Sequence, residues 1–166
     1  MGSALLALLI GLAGADLVDS IIMRVDGEPW HLLLPPGDLE PTEGLPSSVD
    51  RQVRTFRSGD GLMLSIIIQN MHKPATMEGC LNMFERRRIG HAGISAANET
   101  HGVSGDTGFQ EYDYELGATG TTLHHNIYSC RVRGTYFIDV HASKLGYRPS
   151  DRAALMALVD GVKIID

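Results

Sequence analysis

Cysteine is almost missing from this chain of 166 residues, which holds only Cys80 and Cys130. No closely spaced Cys/His set occurs, and H-E-x-x-H is absent, so the ordinary zinc signatures are excluded. Basic residues are also few, 14 Lys and Arg against 20 Asp and Glu, for a formal net charge of -6. That balance argues against a nucleic-acid or anionic-membrane partner, because such binding neutralises phosphates with clustered Lys and Arg. Neither G-x-G-x-x-G after a strand nor G-x-x-x-x-G-K is present, so both nucleotide fingerprints are lacking. No cofactor is implied. A G-x-S-x-G elbow, which would expose a nucleophilic serine, is lacking as well.

What is present suits one globular domain. Hydrophobic residues make up 43% and charged residues 20%, and the length allows a proper core. The chain opens MGSALLALLIGLAGADLVDS. Ala4 to Ala15 carries no charge and has the length of a signal-peptide core, short of the ~20 residues that span a bilayer. Ala13-Gly14-Ala15 places small residues where signal peptidase reads, although no Lys or Arg precedes the apolar run. The alternative is a buried N-terminal helix or strand. The expectation is a signal peptide at 1–15 and one α+β domain at 16–166, periplasmic or secreted, with no membrane span after cleavage. In an oxidising compartment Cys80 and Cys130 can pair, closing a loop of about fifty residues and contributing about 4 kcal/mol. Otherwise both thiols serve as small buried hydrophobes.

Along the chain, Ile21–Val25 and His31–Leu34 flank Asp26-Gly27-Glu28-Pro29 and read as a first hairpin. Pro35–Ser48 reads as a surface connection. Gln52–Arg57 is a short strand, and Leu62–Asn70 is apolar enough for a central strand covered on both faces. Thr76–Arg88 reads as a helix with Thr76 as N-cap, Cys80 on its apolar stripe, and Arg86-Arg87-Arg88 as a solvated C-terminal turn. The polar stretch 91–108 is a long loop or an edge hairpin, and Phe109–Leu116 a strand. Thr121–Val132 and Thr135–Ser143 form a hairpin around Arg133-Gly134. A helix starts at Pro149, Gly161 ends it, and a last short strand follows.

Pairing Val132 with Thr135 sets Cys130 against Phe137, Tyr128 against Asp139, Asn126 against His141 and His124 against Ser143, all on one face. Ile127, Tyr136, Ile138, Val140 and Ala142 take the other face. The first helix then covers one side and the last helix the other, which makes an antiparallel sheet between two helical layers. The order of elements, with the text YFIDVHASK and then PSDRAALMALVDGVKI, resembles exported bacterial proteins of the PsbP-like group, DcrB-type envelope proteins among them. The resemblance implies an α/β/α sandwich and an accessory or binding role, with an envelope protein or a small ligand as partner.

One constellation invites chemistry. Asp139, His141 and Ser143 share a strand face, with His124 and Asn126 opposite, so the residue types of a hydrolytic triad are present. Spacing opposes it: same-face neighbours stand about 6.6–7 Å apart, whereas a Ser-to-His bond needs about 2.6–3.2 Å between side-chain atoms. The bland alternative is that Asn126, Asp139 and His141 satisfy one another beneath a helix. His124, Asp139 and His141 are also the candidate metal ligands.

Overall fold

The computed structural model describes residues 21–43, 46–90, 98–116 and 122–166. The expected signal peptide, residues 91–97 and the turn expected at 117–120 lie outside them. In chain order the elements are β1 (Ile22–Arg24), β2 (His31–Leu33), β3 (Glu40–Thr42), β4 (Arg51–Arg57), β5 (Leu62–Asn70) and α1 (Met77–Gly90). Then come β6 (Thr100–Ser104), β7 (Thr107–Leu116), β8 (Thr122–Arg133), β9 (Tyr136–Leu145), α2 (Arg152–Gly161) and β10 (Lys163–Ile165). Seven strands form one antiparallel sheet in the order β3-β4-β5-β9-β8-β7-β6, and β1-β2-β10 form a second, small one.

Alternation along the strands divides the core in two. Leu62, Leu64, Ile66 and Ile68 of β5, with Ile127, Ile138, Val140 and Ala142, bury one face of the large sheet. Their partners are Met23, Trp30, Leu32 and Leu34 from the small sheet and its turn, and Leu155, Val159 and Val162 at α2. Tyr112, Tyr128, Cys130 and Phe137 bury the opposite face under Cys80 and Phe84 of α1. The α/β/α sandwich flanked by helices is therefore not the fold. Among the described residues strand makes up 51% and helix 20%, in two sheets with two short helices. The layer expected to be helical is built largely by the small sheet, because the last strand returns to pair with β2 and brings its apolar residues over the core.

Local chemistry explains the ends of the elements. Thr76 Oγ1 accepts the Gly79 N–H at 3.1 Å, the N-cap bond expected for α1. Asp151 Oδ2 accepts the Arg148 N–H at 2.8 Å ahead of α2. The surface connection at Pro35–Ser48 contains β3, a three-residue edge strand whose Pro41 is tolerated there because an edge needs fewer ladder donors. Of the two readings of 91–108, the edge hairpin holds for the described part, β6 paired with β7.

The β8–β9 register differs from the expected one by two residues. Arg133 pairs with Tyr136, Cys130 with Asp139 and Tyr128 with His141. The turn residues are Gly134 and Thr135; Gly134 has φ +58° and Thr135 is not in the positive region, the pattern of a II′ turn with glycine first. A shift of two preserves which residues share a face, since the side-chain period is two.

Gly161 offers a test of the packing between α2 and the small sheet. A Cβ there would stand 2.6 Å from Pro35 Cβ, and the proline ring cannot rotate away. Replacing a helical Gly by Ala gains about 1 kcal/mol of propensity, but overpacking costs about 1–3 kcal/mol. Gly161→Ala is expected to lower stability in urea unfolding; a stabilised variant would show that the α2 end is loosely packed.

Candidate functional site

The face under α1 carries the residues singled out from the sequence. Asp139 is 5% exposed, and Arg87 reaches across from α1 to place Nη2 2.5 Å from Asp139 Oδ2. Arg87 is therefore not part of a solvated helix end. Its guanidinium also lies 4.0 Å from the centre of the Tyr128 ring. Burial raises the Asp139 carboxyl above its ordinary value, and Arg87 opposes that rise. Burial likewise raises the Tyr128 phenol, whose oxygen accepts from Tyr112 at 3.3 Å.

His141 stacks flat on Tyr128, with ring centres 4.0 Å apart, and its Nε2 meets Asn126 Oδ1 at 2.9 Å. His124 Nδ1 meets the Tyr114 hydroxyl at 2.5 Å. Ser143 is buried opposite Asn126 in the register. The sheet thus brings Asp139, His141, Ser143, His124 and Asn126 to one face, but Asp139 is engaged by α1 and His141 by Asn126 and Tyr128. Among the described residues no three His, Cys, Asp or Glu stand together as a metal site, so His124, Asp139 and His141 do not form one. Cys80 and Cys130 are joined, with Cα atoms 5.8 Å apart, and tie α1 to β8.

Sequence reasoning missed His125, which points to the opposite face. It is 4% exposed and stacks on Tyr147 at 4.0 Å. Its Nδ1 bonds the Asp113 carboxylate, and its Nε2 lies 3.0 Å from Glu111 Oε1 without the alignment of a hydrogen bond. Glu111 accepts both prongs of the Arg152 guanidinium at 2.7 Å, which holds its carboxyl below the usual range. The carboxylates sit at opposite ring nitrogens, so they cannot converge on one ion. The signal for this cluster was the alternation of Glu111 and Asp113 on β7, meaningful only once Asp113 is known to pair with His125.

Beside this cluster a groove of 420 Å³ runs between α2 and the β6–β7 hairpin. Phe109, Ile127 and Ser129 line its floor, and Met156 and Val159 its α2 wall. Glu111 and Arg152 border it as a charged pair. Phe109 is 36% exposed, an apolar ring left open. Ser129 is buried, and its Oγ has no hydrogen-bond partner. The chain matches no protein-family model and no curated protein.

Proposed function

We propose that the protein is a non-catalytic binding domain working outside the cytoplasm, and that the groove beside α2 receives a small amphipathic ligand. The observation that carries this reading is the groove itself. Its volume falls within the roughly 300–1,000 Å³ of ligand pockets, and an apolar floor beside a few fixed polar groups is their usual lining. Arg152 with Glu111 supplies charge at its border. A non-catalytic role is supported by the partners of Asp139 and His141, which hold both side chains in structural contacts.

The Cys80–Cys130 bridge supports an oxidising compartment, as the apolar leader does. No helix among the described residues is long and apolar enough to cross a membrane. Periplasmic export is tested by the intact mass of the native product. Loss of residues 1–15 together with a mass short of two thiol hydrogens is expected, and a full-length reduced chain would end this assignment.

For the groove, anilinonaphthalene sulfonate serves as an amphipathic probe. Saturable fluorescence enhancement is expected, weakened at least tenfold by Met156→Arg, which fills the α2 wall. Equal enhancement in both proteins would sink the reading.

A further inference from the structure

Among the described residues the large sheet ends in β3 on one side and β6 on the other, and the small sheet in β1 and β10. Three of these edges are blunted by shortness, charge or proline, the usual guards against pairing with another chain. Each is three residues long; β1 contains Arg24, β10 contains Lys163, and β3 contains Glu40 and Pro41. The fourth edge is unguarded. The five residues of β6 include no proline, acidic residue, Lys or Arg, and no described residue pairs with its outer side. Val103 on β6 is 48% exposed. Its register partner Gly108 packs against α1, so Val103 stands on the α1 side of the sheet. On the α2 side, the half-exposed Phe109 of β7 leans outward over Gly102, where an added Cβ would come within 3.1 Å of its ring.

We propose that two copies of this chain pair antiparallel through β6 about a two-fold axis at Gly102, joining their seven-stranded sheets into one. With Gly102 opposite its own counterpart, Thr100 meets the second copy's Ser104 and His101 meets its Val103. No like charges of β6 then face each other, and Thr–Ser is a favourable cross-strand pair. Adjacent strands stand about 4.7–4.9 Å apart. The two Phe109 rings, each lying over its own Gly102, therefore meet at about 5 Å, within the roughly 4.5–7 Å of an aromatic pair. An unrelated strand brings no second ring to that place, which is why a second copy is the occupant. Assembly stops at two, because a two-fold contact uses the same edge of both copies and β3 is guarded. This dimer goes beyond the binding role proposed for the groove and does not depend on what the groove holds.

The test is sedimentation equilibrium of the ligand-free, oxidised native product. Its mass is expected to rise from one copy toward two between about 1 μM and about 1 mM, the range of weak association. Over the same range the β6 amides are expected to exchange more slowly. Val103→Lys, a charge where edges are commonly guarded, is expected to weaken the dimer at least tenfold. The thermal midpoint of dilute protein should not move, since Val103 is exposed. Should that variant misfold, His101→Lys, also at an exposed position, carries the same test. A single copy throughout overturns the proposal, as does a dimer undiminished in a folded variant. Slow exchange in β6 that is independent of concentration would mean that the chain covers its own edge, and overturns it as well. Because no groove ligand is added, these outcomes are read apart from the dye titration.

Discussion

Arg87→Met is expected to destabilise the protein by about 3 kcal/mol at pH 7.5, the lower end of the roughly 3–5 kcal/mol lost when one partner of a buried ion pair is removed. Asp139 is almost wholly buried, while the Arg87 side chain keeps 20% of its exposure, which moderates the effect. The loss comes from the carboxylate left behind. Its sign with pH follows from that. Burial already raises the Asp139 carboxyl in the folded protein, and removing the guanidinium raises it further. Between the unfolded value, about 3.9, and the raised folded value, the native variant binds a proton that the unfolded chain has released, so its stability falls as pH rises through that window. Urea unfolding at pH 4.5, 6 and 7.5 is therefore expected to show the smallest loss at pH 4.5. Arg87→Met with Asp139→Leu is expected to recover most of the stability, because an apolar pair of similar volume has no charge to desolvate. A loss that does not change with pH would remove Asp139 as its source.

The second large effect concerns the bridge. Cys80→Ala with Cys130→Ala opens a loop with a sequence separation of 50, and chain entropy puts the cost at about 4 kcal/mol. Alanine is the right replacement, since both sites are fully buried and a serine would add an unsatisfied hydroxyl. At about 2–4 °C for each kcal/mol in a chain of this size, the midpoint of thermal unfolding is expected to fall by about 10 °C. Reductant should produce a similar fall in the native protein and none in the double variant. A fall of less than about 1 kcal/mol would mean that the folded sheet and α1 hold together without help from loop closure. Hydrogen exchange is expected to locate the loosening in α1, which the bridge fastens to β8.

These two interactions differ in how far the sequence announced them. The cysteine pair was visible by count, and the apolar stripe of α1 with the alternation of β8 turned both thiols toward each other. The ion pair was not visible. Three consecutive arginines at a helix end read as solvated because charge patterning within one element says nothing about a carboxylate fifty-two positions away. Likewise Asp139, His141 and Ser143 were correctly placed on one face, but what each side chain touches depended on α1 and on a register displaced by two. His125 has no signal of its own in the sequence, yet it forms the centre of the cluster on the second face.

By itself the sequence determined the periodic features: the strands β4, β5, β7, β8 and β9, the capped start of α1, the helix after Pro149, and which residues share a sheet face. Period and capping are local, so they survive a slip of two residues and need no partner to be read. Only the tertiary structure decided that the second covering layer is largely a small sheet, that Arg87 meets Asp139, and that a groove runs beside α2. Each of those depends on which distant segments pair, as β2 does with β10, and a pairing across the whole chain leaves no periodic trace in either segment alone.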